Sequence, residues 1–365
     1  LMDAVDTLFA TTAGWVLALA PQAWATRLIA EGLIPAVSGV LVFVPQIAIL
    51  FFLLGVLEGT GYLARGAVLI DHPLSKLGLN GRSFVPLLSG CACAIPAILS
   101  ARSIPGRKER LTTMFVIPLM SCSARLPVYG LLIALLVGRQ HPLLGGVVMT
   151  GIYFASILIT AITAKAVSRW VLGQEENAGF QIELPAWRWP AWSLIARQAL
   201  HQTKSFVIKA GPTIIIIGIV LFFLTQVPSP KHSLALQFGP YFDFLFRPMG
   251  VDWRVGVALL VAFSAREVFV SALAVVFAAS VVGTSLLDSL SWATFTGTSQ
   301  LIFTPASIAA LIVFFMISMQ CMSTLAVAKQ EMGGWRLPML MTGVYVISAY
   351  VLAVLTYQLL HLVGL

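Results

Sequence analysis

Two stretches of this chain, 33–57 and 210–227, contain no Asp, Glu, Lys or Arg. Each reaches the roughly 18 residues that a bilayer-crossing helix requires. Charged residues make up 10% of the sequence and hydrophobic residues 59%, whereas a soluble domain carries about 25% charged residues. With a mean hydropathy of +0.95, the chain cannot keep a globular surface wet. An all-α polytopic membrane protein follows, and a soluble enzyme or a disordered scaffold is excluded. The net charge of +8, from 22 Lys and Arg against 14 Asp and Glu, does not point to nucleic acid. The basic residues gather in a few short connections, as in the positive-inside pattern.

The stretch 1–32, with Trp15, Pro21 and Trp24, reads as an interfacial helix and loop; it lacks the basic start of a secretory signal. A first transmembrane repeat is expected over 33–168, opening with a span that Pro45 interrupts. Residues 84–101 contain Pro86, Gly90 and Pro96, which disfavour an unbroken helix. Arg65 and Lys76 precede this piece, and Arg102, Arg107, Lys108 and Arg110 follow it. Both flanks therefore read as cytoplasmic, and the piece as a re-entrant hairpin. Residues 112–138 cross with the irregular SCSARLP (121–127) at mid-depth, and 143–168 return. The stretch 169–209 is expected as a cytoplasmic amphipathic and aromatic connection. A second repeat, 210–365, follows, with spans at 210–227, 301–328 and 337–362 and an apolar region at 254–282.

Met120-Ser121-Cys122 and Met319-Gln320-Cys321 share the pattern M-x-C-x-x-x-L. Spans in the first half run in, out, in, and those in the second out, in, out. Inverted repeats with broken helices form a common transporter plan, with the substrate site at the interruptions. Accidental similarity within an ordinary helix bundle is the alternative.

All four cysteines, Cys91, Cys93, Cys122 and Cys321, lie in apolar sequence. Buried cysteine is often only a small hydrophobe. Here Cys93 precedes Pro96, and Cys122 sits between Pro118 and Pro127, where helices must break. Sulfur beside freed carbonyls and Met120, Met319 and Met322 forms a candidate site for a borderline-soft divalent metal. Arg125, Arg266 and Glu267 are embedded charges, which mark a pathway or a buried pair such as Arg125 with Glu267. Glu58 ends the first span and suits either a pathway mouth or a side chain reaching the interface. The histidines His72, His141, His201, His232 and His361 show no metal-ligating spacing, and the sequence has no phosphate-binding loop.

GYLARGAVLIDHPLSKLGLNGRSFVPLLSGCACAIPAILSAR (61–102) and MSCSARLPVY (120–129) resemble the membrane region of the FeoB ferrous-iron transporters. ELPAWRWP (183–190), KAGPTIIIIG (209–218), FSAREVFVSAL (263–273) and QCMSTLAV (320–327) are similar to successive blocks of that family, in the same order. The resemblance spans about 33–360. It implies a bacterial or archaeal inner-membrane Fe(II) importer with two Gate-type repeats. It also implies an iron path lined by Cys93, Cys122 and Cys321. Cys91 stands where the family normally has no cysteine, and Gln320 where it usually has proline. The family further implies a GTP-binding G domain, small cytoplasmic accessory proteins and an N-terminal helix. None of these is read in this sequence, which begins at Leu1; a fragment or a separate GTPase chain is expected. GTP and Mg would enter only through that domain, and no cofactor is expected to stay bound.

The leading expectation is thus Fe(II) import along a sulfur constriction, with Glu267 and nearby methionines assisting. Alternatives are another divalent metal, a nucleoside-like solute, or a membrane anchor for a GTPase. Neither Asn80 nor Asn177 is embedded, which disfavours a nucleoside site. A homo-oligomer with an axial pore and a monomer with an internal path would use the same residues.

Overall fold

The computed structural model describes residues 8–9, 11–16, 26, 28–138, 142–170, 189–226, 241, 243–263, 266, 268–278, 286–295 and 300–364. Glu267, His141, His232, Asn177 and most of 169–191 lie outside them, as does most of the 1–32 stretch. Among the described residues the chain is helical and forms no strand. In chain order the helices are α1 (Ile34–Gly59), α2 (Tyr62–Ser75), α3 (Phe84–Ala92), α4 (Ala94–Ser100), α5 (Arg107–Val116), α6 (Leu126–Val137) and α7 (Pro142–Trp170). They continue with α8 (Trp192–Gln226), α9 (Trp253–Val261), α10 (Val268–Ala278), α11 (Leu286–Ser291), α12 (Pro305–Ile317), α13 (Met322–Met332) and α14 (Arg336–Val363).

Three helical stretches among the described residues, Arg107–Val137, Leu143–Arg169 and Arg336–Val363, are long and apolar enough to cross a membrane. Ile47–Gly59 and Tyr62–Ser75 pass the same test together, bent by 78°. Gly61, at φ 79°, allows that bend. The outer face of α7 is apolar and bare, with Leu143, Val147, Phe154, Leu158 and Ile162 all exposed. In water such a face would be costly; against lipid it is the expected surface.

The chain divides into two units. The first joins residues up to Leu69 with Gln181–Gln237. In it, α8 packs along α1. Ile47, Phe51 and Ala199 form the buried contact, and Phe52 stacks on Trp192 with ring centroids 6.1 Å apart. Gly55 leaves room for Ile195, which a Cβ there would meet at 2.9 Å. Two expectations change here. α1 continues through Pro45, a substitution that membrane helices tolerate when neighbouring groups absorb the freed carbonyl. The span expected to start at 210 belongs to one 35-residue helix beginning at Trp192.

The second unit, Ile70–Phe180 with Phe238–Leu365, holds the breaks at Cys93, Cys122 and Cys321. α3 and α4 are separated by Cys93 in extended conformation (φ −155°, ψ 133°). Pro96 is the third residue of α4; an unbroken helix would press its ring on the carbonyl of Ala92. α5 tightens into a 3-10 turn, Ile117–Leu119, and ends at Met120 (φ −59°, ψ 131°). The chain restarts through Ser123–Arg125 into α6, with Pro127 in its first turn. The region 254–282 is also interrupted, between α9 and α10, with Arg266 in the gap. α12 ends at Ile317 with Ser318 (φ −60°, ψ 135°) as its C-cap, and α13 starts after Cys321 (φ −165°, ψ 102°).

The aromatic core of this unit pairs Phe269 edge-on with Phe315 at 4.7 Å. Tyr345 of α14 packs against Phe115 at 5.3 Å and donates to its carbonyl at 2.7 Å. Gly250 is left-handed (φ 74°), and a Cβ there would run into the ring of Tyr357. Gly250→Ala combines backbone strain with overpacking, and is expected to cost about 2–4 kcal/mol. Thermal unfolding in detergent should show a lowered Tm; an unchanged Tm would contradict that packing.

Candidate functional site

Helix starts among the described residues differ in their caps. Asn80, Asp252 and Thr304 stand at ordinary N-caps, and each side chain accepts from a backbone N–H of the following turn. At three of the four breaks the capping position is cysteine instead: Cys93 before α4, Cys122 before the turn leading to α6, and Cys321 before α13. Sulfur is a weak acceptor, and Ser, Asp or Asn would cap better. Capping therefore does not explain the choice of cysteine at three separate breaks.

Breaking a helix frees carbonyls, and an unpaired buried carbonyl costs about 1–3 kcal/mol. Two arginines take up most of these. Arg125 is fully buried. Its Nη1 donates to the Leu119 carbonyl at 3.1 Å and to Ser121 Oγ at 3.3 Å; its Nη2 donates to the carbonyls of Pro118 at 3.1 Å and Ser318 at 3.4 Å. Arg266 donates from Nη2 to the same Ser318 carbonyl at 3.1 Å, and from Nε to the Gln320 carbonyl at 3.2 Å. Its remaining nitrogen, Nη1, faces Cys122 Sγ at 3.6 Å. One guanidinium thus links the sulfur of the first half to the backbone of the second.

Smaller groups complete the stitching. Ser156 of α7 accepts from the Ser121 N–H at 3.0 Å and donates to the Leu119 carbonyl at 2.9 Å. Ser123 Oγ donates to the Ala92 carbonyl at 3.0 Å, which joins the Cys122 break to the Cys93 break. α4 and α13, the half-helices that start at Cys93 and Cys321, pack together. Their far ends are tied by Arg102, which donates twice to the Glu331 carboxylate, from Nε at 2.6 Å and also from Nη2. Hydrogen bonding and charge from Glu331 hold the Arg102 guanidinium above its ordinary range.

The residues singled out in the sequence fall in different places. Cys122 interacts electrostatically with both Cys91 and Cys321, and all four cysteines are half-buried and outside any disulfide. Met120 is buried beside Gly90. Met319 is buried too, but its sulfur accepts from Thr342 of α14 at 3.5 Å, and Met322 is exposed. Glu58 is exposed at the end of α1, in the first unit. The described partners of Arg125 are carbonyls and a hydroxyl, so its place is explained without a carboxylate. The freed carbonyls, expected to face an ion, are instead bonded to guanidinium. Among the described residues no three His, Cys, Asp or Glu side chains come together as a preformed metal site.

The break at 318–321 contains no proline to announce it, and only the repeated M-x-C-x-x-x-L pattern pointed to a broken span there. Sequence reasoning missed two features. Ser318 and Gln320 are completely buried polar residues. The Arg102–Glu331 tie joins residues 229 positions apart, which no local pattern signals.

The comparisons with known proteins bear on this same region. A family model described as nucleoside recognition, the Gate model, matches residues 40–136 and 207–335. The first stretch contains Cys93, Cys122 and Arg125, and the second contains Arg266, Gln320 and Cys321. A model described as the ferrous iron transport protein B C terminus matches 149–201. The Fe(2+) transporter FeoB of Staphylococcus aureus (strain COL) is 36% identical over 343 residues, which is 92% of this chain and 49% of that protein. Its namesake in Leptospira biflexa is 36% identical over 356 residues, and that in Leptospira interrogans 34% over 360; both alignments take in 92% of this chain and 51% of the relative. The chain spans about half the length of the curated relatives it matches. No solved structure matches. With two Gate stretches across most of its length and the FeoB C-terminal model between them, the chain belongs to the FeoB family.

Proposed function

We propose that this chain carries Fe(II) inward across a bacterial or archaeal cytoplasmic membrane, through the breaks that begin at Cys93, Cys122 and Cys321. The observation that carries the reading is the use of cysteine at all three capping positions where a better cap was available. The relatives' name, Fe(2+) transporter, supports iron as the cargo. Fe(II) accepts thiolate, imidazole and oxygen donors, and a thiol that binds it gives up its proton. The two Gate stretches form repeats of opposite orientation in the membrane.

Arg266 is the gate in this reading. Its Nη1 holds the Cys122 sulfur, so an arriving cation competes with a guanidinium for the same atom. Displacing Arg266 also loosens the carbonyls of Ser318 and Gln320 that it holds. Ion arrival and rearrangement of the second break are thereby coupled. A GTP-binding domain, on the same polypeptide or a separate one, biases this gate from the cytoplasmic side and supplies the GTP and Mg chemistry. The membrane region itself retains no cofactor.

The test is competition for the sulfurs. Under anaerobic conditions, N-ethylmaleimide labelling is followed residue by residue by mass spectrometry. Fe(II) should slow labelling of Cys122 and Cys321 several-fold, while Mg(II), a hard oxygen-seeking ion, should not. Equal rates with and without Fe(II) would remove these sulfurs from the path.

A further inference from the structure

The second break contains an amide that nothing nearby uses. Gln320 is 0% exposed, and neither its Oε1 nor its Nε2 has a hydrogen-bond partner. The Ser318 hydroxyl, two residues away, is also buried without a partner. Native proteins keep few such groups, and each calls for an explanation. Packing gives none here, since an apolar side chain of similar volume would fill the space without the desolvation cost.

The surrounding oxygens are already committed. The carbonyls of Pro118, Leu119, Ser318 and Gln320 accept from Arg125 and Arg266, and the Ala92 carbonyl accepts from Ser123. The uncommitted side-chain oxygens at this break are Gln320 Oε1 and Ser318 Oγ. They adjoin Cys321 in the chain, and the guanidinium that holds the Gln320 carbonyl also holds Cys122 Sγ. One guanidinium therefore holds Cys122 Sγ together with the backbone of the two residues that carry these oxygens.

We propose that the Gln320 carboxamide oxygen, with the Ser318 hydroxyl, is an oxygen-donor site for a divalent cation at the second break, completing the sulfur donors Cys122 and Cys321. The proposal rests on the cation-path reading above and adds a residue that tunes which ion passes. Balance of charge is met on binding: two thiols each release a proton, and the two thiolates offset the two charges of the ion. Arg125 and Arg266 nearby keep occupancy brief, as conduction requires a site that an ion can leave. Sulfur alone strongly favours Zn(II) or Cu(I), and oxygen donors added beside it narrow that advantage over Fe(II) and Mn(II).

The test is anaerobic equilibrium binding of Mn(II), Fe(II) and Zn(II) to the full chain in detergent, with thermal unfolding recorded beside it. Gln320→Leu is expected to weaken Mn(II) binding by about tenfold, the lower end of what metal-site substitutions cost, with Fe(II) affected less and Zn(II) least. Its Tm should not fall, because an unpaired buried amide has been removed. Gln320→Met should raise the ratio of Zn(II) to Mn(II) affinity above that of the parent, and it serves as the readout if the leucine variant does not fold. Unchanged Mn(II) binding in Gln320→Leu, with weakened binding in Cys321→Ser, would overturn the role of Gln320 and leave the sulfur path standing. A lowered Tm that accounts for lost binding would make the residue structural and overturn the proposal as well. Absence of divalent-ion binding by the parent chain would overturn the path and this site together.

Discussion

Arg125→Leu should lower the Tm strongly and shift the size-exclusion profile towards aggregate. The side chain it removes is 0% exposed and donates to three carbonyls and a hydroxyl drawn from both breaks. The Leu119 carbonyl would keep Ser156 and the Ser318 carbonyl would keep Arg266, so the Pro118 carbonyl is the acceptor left without a donor, at about 1–3 kcal/mol. Water cannot readily replace that donor at membrane depth, and the lost ties between the two breaks add to the cost, a large fraction of the 5–15 kcal/mol that typically separates folded from unfolded states. Leucine would return only part of this through apolar packing. Arg125→Lys keeps the charge but not the planar fork of donors, so it should fold with a clearly lowered Tm. Size-exclusion profiles and thermal unfolding in detergent check the series. A leucine variant with the parental profile and Tm would show that the broken helices do not depend on this guanidinium.

The fold class was legible because lipid imposes a coarse rule, and the uncharged runs obey it. The first two breaks were legible because Pro96 and Pro127 mark them, as a missing N–H and a rigid ring must. The position of each break was less so. The chain opens at Cys93, ahead of Pro96, since a proline disturbs the turn before it. Pro45 broke the same expectation in the other direction, for α1 passes through it. The 318–321 break has no proline, and only its echo of Met120-Ser121-Cys122 pointed to it. The echo is inexact: Cys122 comes three residues after the helical turn ending at Leu119, and Cys321 four after α12 ends at Ile317.

The arginines show what a sequence leaves open. Arg125 and Arg266 could be recognised as embedded charges, and embedded charges suggest ion pairs. Their described hydrogen bonds run mainly to backbone carbonyls, one of them 193 residues away. Carbonyls are present at every residue, so no side-chain pattern can announce such a partner. The helix start at Trp192 was hidden for a related reason. Residues 192–209 mix aromatic and basic side chains as an interfacial loop would, and the packing against α1 that makes them helical is invisible locally.

The second large effect concerns transport. Serine is nearly the size of cysteine and caps helices better, so Cys93→Ser, Cys122→Ser and Cys321→Ser should each fold with parental or slightly higher stability. A serine hydroxyl does not replace a thiolate as a ligand for a borderline-soft ion, and ion flux should therefore fail while the protein remains intact. That separation of stability from function is what a sulfur-lined path requires, and a purely structural cysteine would not produce it.

The most direct measurement is anaerobic uptake of radioactive Fe(II) into proteoliposomes containing the chain or one of these three variants, each matched for folded protein by size exclusion. Uptake is expected from the parent, with a fall to the level of empty liposomes in Cys122→Ser and Cys321→Ser and a strong reduction in Cys93→Ser. Uptake at the parental rate in all three variants would contradict a sulfur-lined path.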